Sequence, residues 1–301
     1  MKVFICAPSF DENSGGSVVL HRLCHIINEF SEHNAFLVKL KPTYSGKVTI
    51  KKILQQFKWE VRSKSCFKTH AEWNTPLWNS KKIPEDGIVI YPEIVNGNPL
   101  GAKHVVRWLL HQPGFHTSII NYEAGEMYYK FNSAIKDFQR DGSFTSQHEL
   151  KVIYYPIDIY NESNDVKDID CCFMVRKGTY KEKIHPANAV QIDGLSHKEV
   201  AAIFKRSKKF ICYDDYTAYS IFAVLCGCPS YVVPAQGQSI EDWYPNLSDR
   251  YGISFGFSKE QEEWAKSTRE NVYSHILTEH QRSTENVLAC LNEIADYFHI
   301  K

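Results

Sequence analysis

The sequence has no excess of charge of either sign and no long hydrophobic run. Its 35 Lys and Arg residues equal its 35 Asp and Glu residues, so no overall field attracts nucleic acid. The first ten residues are a short apolar stretch broken by Pro8, which predicts neither a signal peptide nor a membrane span, and no later run reaches spanning length. With 43% hydrophobic and 13% aromatic residues, the composition is typical of a folded globular enzyme.

The sequence also lacks the cysteine pattern of a disulfide framework or of a zinc site. Its nine cysteines are an odd number, and they include the adjacent pair Cys171 and Cys172 and the turn Cys226-Gly227-Cys228. This usage favours a reducing compartment, which we expect to be the cytoplasm. The sequence contains no P-loop and no nucleophile elbow, so kinases, metalloproteases and α/β-hydrolases have no support.

The length and the order of elements predict two α/β domains. At 301 residues the chain is long enough for two cores of the usual size. A polar, turn-prone stretch at residues 157–168 separates two series of strands and helices, so we expect domains over residues 1–160 and 161–301, with a closing helix in the second. Because short buried strands alternate with helices, each domain is predicted to be Rossmann-like, with a parallel sheet.

The N-terminal half begins with a strand, a glycine-containing loop and a helix. Val3–Ala7 is a continuous apolar run, Pro8–Gly16 is turn-forming, and apolar residues at helical spacing continue to Phe30. Four further short apolar runs predict buried parallel strands: Phe36–Leu40, Ile88–Tyr91, Val105–Leu110 and Val152–Tyr155.

The most informative stretch of the C-terminal half is Lys209–Pro234. It consists of a buried strand, a polar turn over Tyr213–Thr217, an apolar helix over Ala218–Cys226 and a further strand. Ligands of open parallel sheets bind beyond the carboxyl ends of strands, and a helix after such a turn offers N–H groups to phosphate. Thr217 and Ser220 are therefore candidate helix-start hydroxyls, although an ordinary N-cap at Thr217 explains the same pattern.

This stretch resembles the nucleotide-sugar-binding segment of glycosyltransferases with the glycosyltransferase-B fold. In that family an acidic turn precedes a helix that ends in Glu-Ala-x-x-x-Gly-x-Pro, and Ala223, Gly227 and Pro229 match this ending. The family's two glutamates align with Asp214 and Phe222, so the sequence departs from the family at both positions, and Phe222 lacks the carboxylate altogether. The resemblance implies two domains that face each other across a cleft. It also implies that a nucleotide-sugar donor contacts the turn and helix start: Tyr213, Asp214, Thr217, Ala218, Tyr219 and Ser220.

Two neighbouring segments extend the resemblance back to Cys171. Arg176-Lys177-Gly178 ends a predicted strand, similar to the position at which such enzymes place basic residues on the donor diphosphate. Ile192-Asp193-Gly194, followed by a helix over His197–Arg206, resembles the strand, turn and helix that precede the donor site. The resemblance thus implies a diphosphate held by Arg176, Lys177 and Gly178, with no essential metal and no other cofactor.

The strand ends of the N-terminal half supply candidates for the acceptor side. Gly15, Gly16 and Ser17 resemble the glycine loop at the family's cleft, and a plain tight turn capped by Ser17 explains them as well. Glu93 and His111 each follow a predicted strand, and either can take the proton of an acceptor hydroxyl. We expect these residues to converge on the cleft, while a purely structural role stays open for each.

The segment Lys47–Lys68 is strongly basic. It carries seven cations against Glu60 alone, interleaved with apolar residues at helical spacing. Such a segment can lie on an anionic membrane surface, and a solvated helix face explains it equally well. Attachment to the inner face of the membrane suits a glycan or lipid-linked acceptor in the synthesis of surface polysaccharides such as capsule or lipopolysaccharide.

The pattern therefore supports three hypotheses. The first is a metal-independent glycosyltransferase that uses a nucleotide sugar. The second is a non-catalytic subunit that binds a sugar nucleotide within a polysaccharide assembly complex, which the departure at Phe222 keeps open. The third is a metal-dependent single-domain glycosyltransferase with Asp168 and Asp170 as the metal-binding pair. That pair precedes a predicted strand, whereas it should follow one, so the third hypothesis is disfavoured.

Overall fold

The computed structural model describes residues 1–40, 67–80, 82–132 and 135–300. The chain divides into two compact units, of which the first is Met1–Tyr154 together with His280–Lys301 and the second is Tyr155–Glu279. The division therefore lies earlier in the chain than residue 160. The C-terminal residues also differ from the prediction, because they belong to the first unit.

The sheet of the first unit consists of six strands: β1 (Lys2–Ala7), β2 (Asn34–Lys39), β3 (Ile88–Pro92), β4 (His104–Leu109), β5 (Met127–Lys130) and β6 (Phe144–Glu149). All neighbouring strands are parallel, and their order across the sheet is β2-β1-β3-β4-β5-β6. The helix α1 (Gly15–Phe30) connects β1 to β2, and its buried leucines and isoleucines face the sheet core. The predicted opening of strand, glycine loop and helix is confirmed.

The strand predicted at Val152–Tyr155 is wrong. These residues form no strand, and the sheet is completed instead by β5 and β6, which have no long apolar run. Val152 is nevertheless fully buried in the core of the first unit, which explains why this residue is apolar. The connections from β3 to β4 and from β4 to β5 are irregular loops rather than helices.

The sheet of the second unit consists of five shorter strands: β7 (Cys172–Met174), β8 (Val190–Gln191), β9 (Phe210–Cys212), β10 (Ser230–Val232) and β11 (Ile253–Phe255). These strands are also parallel, in the order β11-β10-β9-β7-β8. Five helices accompany and follow them in the described chain: α2 (His197–Arg206), α3 (Tyr219–Leu225), α4 (Ile240–Trp243), α5 (Lys259–Thr268) and α6 (Asn271–Tyr297). The α/β class and the parallel sheets predicted for both halves are confirmed.

The helix α6 explains why the C-terminal residues belong to the first unit. Val287, Cys290, Leu291 and Ile294 lie on its second half and are buried in the same hydrophobic core as β1. Burial of each such side chain contributes on the order of 2 kcal/mol, so this half of the helix is part of the first core. Sequence periodicity predicts the helix but does not say which sheet it covers.

In each sheet the strand order reverses direction at one point, between the first and the third strand of that unit. In the first unit β1 has β2 on one side and β3 on the other, and in the second unit β7 has β8 on one side and β9 on the other. Connections leave such a pair of strands in opposite directions, which opens a crevice at their carboxyl ends where α/β proteins bind ligands. A ligand-binding site is therefore expected at the residues that follow β1 and β3 in the first unit, and at those that follow β7 and β9 in the second.

Candidate functional site

The crevice of the second unit is bordered by two short turns. A turn of 3₁₀ helix over Arg176–Gly178 follows β7, and the acidic turn that begins at Tyr213 follows β9. Since β7 and β9 are hydrogen-bonded neighbours with Met174 paired to Cys212, the two turns emerge side by side. The structure thus brings together the two segments that the sequence proposes for the donor diphosphate.

Arg176 places a guanidinium at this crevice. Its Nε atom lies 3.8 Å from Oδ2 of Asp214, and its guanidinium carbon lies 5.7 Å from the centre of the Tyr219 ring. The side chain of Arg176 is 34% exposed, whereas that of Asp214 is 4% exposed. The guanidinium therefore lies near a buried carboxylate and an aromatic ring, while part of it stays exposed and can contact a ligand.

The backbone of Arg176 is fixed by Asp193, which follows β8. The Asp193 carboxylate accepts the N–H groups of both Val175, at 2.9 Å, and Arg176, at 2.7 Å. Arg176 has a φ of 38°, in the left-handed region that non-glycine residues rarely occupy. The sequence resemblance includes Asp193 but gives it no role; its position two residues after β8 and directly before Gly194 is the signal that could have identified it.

Gly178 is required for the close approach of the two turns. A Cβ atom at this position would lie 2.0 Å from the carbonyl oxygen of Tyr213. Any larger residue would therefore push the turn after β7 away from the end of β9. Gly178 acts on the candidate site through this contact, whereas Lys177 lies on the exposed side of the same turn.

Two of the predicted donor-binding residues turn their side chains into the protein. The hydroxyl of Tyr213 accepts the backbone N–H of Ile184 at 2.7 Å and that of His185 at 3.1 Å. Ser220 is buried, and its hydroxyl makes a hydrogen bond with the thiol of Cys212. The side chains of Tyr213 and Ser220 therefore stabilise the structure around the site and do not face its crevice.

The helix start differs from the prediction. The helix α3 is only seven residues long, its N-cap residue is Ala218 in a right-handed helical conformation, and no side chain caps it. Thr217 instead accepts the backbone N–H of Tyr219 at 3.4 Å. Because the macrodipole of so short a helix is small, the charge of Arg176 outweighs the helix terminus as the source of positive potential.

A buried ion pair beneath the acidic turn was not recognised in the sequence. Nζ of Lys181 lies 2.5 Å from Oδ1 of Asp215 and 2.6 Å from the carbonyl oxygen of Val233, and the Lys181 side chain is almost completely buried. The indole N–H of Trp243 donates to the carbonyl oxygen of Asp215 at 2.6 Å. These contacts connect the turn after β9 to the end of the neighbouring strand. Asp215 therefore has a structural role.

The alternative metal-binding pair is occupied by cations of the chain itself. Asp168 accepts two hydrogen bonds from the guanidinium of Arg206, at 2.8 and 2.5 Å, and Asp170 pairs with Lys208 at 2.6 Å. The hydrogen bond from Arg206 lowers the pKa of Asp168, and that from Lys208 lowers the pKa of Asp170. Across residues 1–40, 67–80, 82–132 and 135–300, no group of three or more His, Cys, Asp or Glu residues is arranged to hold a metal ion.

Glu93 lies at the crevice of the first unit, directly after β3. Its carboxylate accepts the N–H of Leu110 at 3.2 Å, its own N–H donates to the carbonyl oxygen of Trp108, and its carbonyl accepts the hydroxyl of Tyr122 at 2.7 Å. A Cβ atom on Gly16 would lie 3.8 Å from the side chain of Leu110. The glycine loop after β1 therefore passes near Leu110, whose N–H binds Glu93.

The environment of Glu93 changes its acidity. The residue is 5% exposed, and burial raises the pKa of its carboxyl from 4.5 to about 7, while the backbone hydrogen bonds only partly offset this. A carboxyl with a pKa near neutrality exists in both protonation states at physiological pH. This is the property that a general base needs.

His111 follows β4, but no contact with Glu93 brings the two together. Its Nδ1 atom accepts the backbone N–H of Gln112 at 2.8 Å, and its ring lies 4.1 Å from that of Phe115 and 5.0 Å from that of His116. His111 is half-buried within this loop. These contacts place His111 within its own loop, apart from the hydrogen bonds of Glu93.

Ser17 does not cap the first helix. Its hydroxyl donates to the carbonyl oxygen of Ser9 at 3.2 Å and accepts the N–H of Asp11 at 3.0 Å. The N-cap position is Ser14, whose side chain makes no capping hydrogen bond. Ser17 thus closes the loop after β1, while a Cβ atom on Gly15 would meet nothing within 4 Å.

The predicted membrane-binding segment Lys47–Lys68 lies outside the described residues except for its last two positions. Within the described part of the chain, every helix is too short or too polar to cross a bilayer.

No protein-family model and no curated protein sequence matches the chain. Solved structures with a similar course of the chain include BGT of phage T4 in complex with UDP-glucose, with a TM-score of 0.42 at 10% identity over 99% of this chain and 97% of that chain. A Listeria monocytogenes protein assigned as a UDP-N-acetylglucosamine 2-epimerase gives a TM-score of 0.39 at 11% identity over 100% and 97% of the two chains. The spinosyn forosaminyltransferase SpnP gives 0.36 at 10% identity over 98% and 95%. At TM-scores below 0.5, these similarities carry no weight in assigning a site or an activity.

Proposed function

We propose that the chain is a glycosyltransferase that uses a nucleotide diphosphate sugar, whose diphosphate binds at the crevice between β7 and β9. The observation that carries the proposal is the part-exposed guanidinium of Arg176, held by Asp214 and Tyr219 where the winding of the sheet reverses. A basic group at this place is suited to an anionic ligand, because ligands of open parallel sheets bind there.

The chemistry of glycosyl transfer assigns roles to the remaining residues. The diphosphate gains negative charge as its bond to the anomeric carbon of the donor sugar breaks and that carbon bonds to the acceptor oxygen, and Arg176 and Lys177 stabilise this charge without a metal ion. The acceptor hydroxyl must lose a proton, which Glu93 accepts once it is ionised. We further propose a glycan or lipid-linked acceptor at the inner face of a membrane, in the synthesis of a surface polysaccharide.

One observation favours a second candidate function, a sugar-nucleotide-binding subunit without transferase activity. Phe222 occupies the position where the resembled family has its second glutamate, and its ring stacks on that of Tyr160 at 4.2 Å. This position is thus part of the aromatic core of the second unit and supplies no carboxylate to a donor. Release of free sugar from the donor, or its transfer, by the purified protein would exclude this candidate.

Calorimetric titration with UDP, GDP, dTDP, ADP and CMP tests the proposal. We expect one nucleotide to bind the wild-type protein and Arg176→Ala to weaken it tenfold to a hundredfold, which corresponds to about 1.5–3 kcal/mol for a lost charge-assisted hydrogen bond. Arg206→Ala is the matched control, because Arg206 is an exposed arginine of the same unit that pairs with Asp168. Equal affinities of wild-type protein and Arg176→Ala would refute the donor site.

A further inference from the structure

Arg22 of helix α1 is a half-buried arginine for which the described residues supply no carboxylate partner. Its guanidinium carbon lies 5.4 Å from the centre of the Trp73 ring and 5.5 Å from that of the Tyr154 ring. Its Nε atom is buried and has no hydrogen-bond partner among the described residues. Burial lowers the pKa of Arg22, which reflects the cost of holding this charge away from water.

Two histidines contact the same Trp73 ring. The rings of His25 and His70 stack on it at 6.0 and 4.1 Å. Nδ1 of His25 accepts the backbone N–H of Asn74 at 3.0 Å, which in the neutral ring places the proton on Nε2 and makes that atom a donor. The nearby carboxylate of Glu29 is itself engaged, since it accepts a hydrogen bond from the Asn74 side chain at 2.9 Å.

The cluster adjoins the crevice of the first unit. Phe10, in the loop that follows β1, lies with its ring 5.7 Å from that of Trp73. The same loop runs into the glycines at the start of α1. The aromatic residues that flank Arg22 are therefore in contact with the loop that leads from β1 to α1.

We infer that Arg22 and His25, flanked by Trp73 and Tyr154, bind a phosphate group of the acceptor. A half-buried guanidinium between two aromatic rings, without a carboxylate partner among the described residues, is stabilised most by an anion, and phosphate oxygens accept from both a guanidinium and an imidazole N–H. The role as an acceptor site rests on the proposed function, whereas the binding of phosphate does not. The phosphate is carried either by a soluble sugar phosphate or by a lipid.

Calorimetry with inorganic pyrophosphate tests the inference in an Arg176→Ala background, which removes the proposed donor site. We expect Arg22→Gln to weaken pyrophosphate binding at least tenfold, and Arg140→Gln, which changes an exposed arginine of the same unit, to alter it less than twofold. Absence of binding, or equal affinities of the two variants, would overturn the inference. Because Arg22→Gln removes two ring contacts and can impair folding, perturbation of the Trp73 indole NMR signal by pyrophosphate in the Arg176→Ala protein serves as a second measurement.

Co-sedimentation with phosphatidylcholine vesicles that contain phosphatidic acid distinguishes the two sources of phosphate. Sensitivity of vesicle binding to Arg22→Gln supports a lipid-borne phosphate, and sensitivity of pyrophosphate binding alone supports a soluble one. Insensitivity of both overturns the site. The nucleotide titrations of the wild-type protein report on the proposed function independently, so failure of one idea can be told from failure of the other.

Discussion

The carboxylate of Asp193 accepts the backbone N–H of Arg176 at 2.7 Å, and this contact joins the end of β8 to the turn that carries the candidate ligand-binding cation. Arg176 adopts a φ of 38°, a conformation that costs a non-glycine residue on the order of 1 kcal/mol. The second hydrogen bond, from Val175 to the same carboxylate, keeps the turn in this conformation. Asp193 is therefore a positioning residue that acts on a ligand through Arg176.

Asp193→Ala is expected to weaken nucleotide binding about tenfold, because the turn would relax and the Arg176 guanidinium would lose its fixed direction. Asp193→Asn retains one acceptor oxygen and should recover part of the affinity. Calorimetric titration with the best-binding nucleotide measures both effects. If Asp193 acts through Arg176, the double variant with Arg176→Ala should bind no more weakly than Arg176→Ala alone.

Asp158→Ala serves as the control, since Asp158 is an exposed aspartate of the same unit. Wild-type affinity in Asp193→Ala, or fully additive effects in the double variant, would mean that Asp193 stabilises the fold without directing Arg176.

The two glycines at the crevices are expected to respond differently to the addition of a methyl group. Gly178→Ala places a Cβ atom 2.0 Å from the carbonyl oxygen of Tyr213, so the turn must move, at a cost of about 3 kcal/mol or more. Gly15→Ala meets nothing within 4 Å and should be tolerated. Urea unfolding of both variants measures the difference. An unchanged midpoint for Gly178→Ala would contradict the close approach of the two turns.

Much of the second unit could be predicted because local signals agree with the tertiary structure. Helix α2 has the predicted bounds, since Ser196 and Glu199 form a capping box that fixes where it begins. The strands before Arg176 and Tyr213 are short apolar runs that end in polar turns. Parallel strands connected by helices bring such turns to one edge of a sheet, so the juxtaposition of Arg176 with the acidic turn follows from the order of the elements.

The remainder depends on contacts between residues that are distant in sequence. The edge strand β6 is mostly exposed and polar, so no apolar run marks it, whereas Val152 is apolar because it fills a core without being in a strand. The ion pair of Lys181 with Asp215 joins two turns of different strands. Only the fold reveals that Ser220 faces the core and that Arg22 lies between two rings. Residue type and spacing alone cannot distinguish these inward side chains from outward ones.

Removal of divalent metals should leave nucleotide binding unchanged. The carboxylates of Asp168 and Asp170 are already paired with Arg206 and Lys208, so replacing both by Asn should alter only these exposed ion pairs, which water and salt screen. Titration in EDTA, compared with titration in magnesium or manganese, measures the effect. A loss of affinity in EDTA that manganese restores, and that Asp168→Asn with Asp170→Asn abolishes, would favour metal-dependent transfer.

Glu93 should make the stability of the protein depend on pH. Its pKa is raised from 4.5 to about 7 in the folded state, so the folded protein holds this proton over a pH range in which the unfolded chain has released it. The free energy of unfolding should therefore decrease as the pH rises from 4.5 to 7, by about 3 kcal/mol for this group. Glu93→Gln removes that loss, so its melting temperature should exceed the wild-type value at pH 8.5 but not at pH 4. Glu123→Gln, at an exposed position of the same unit, is the control.

The same titration determines the expected pH dependence of turnover. A general base accepts a proton only in its ionised form, so kcat/KM for sugar transfer should rise with pH through about 7, the pKa of Glu93. Glu93→Gln keeps an oxygen that can accept the N–H of Leu110 but cannot take a proton, and should lower kcat by 10²- to 10⁴-fold with little effect on nucleotide affinity. His111→Ala should retain most activity, since His111 contacts the loop around Phe115 rather than Glu93. Normal turnover in Glu93→Gln together with a loss in His111→Ala would reverse the assignment, because the proton would then pass to the imidazole.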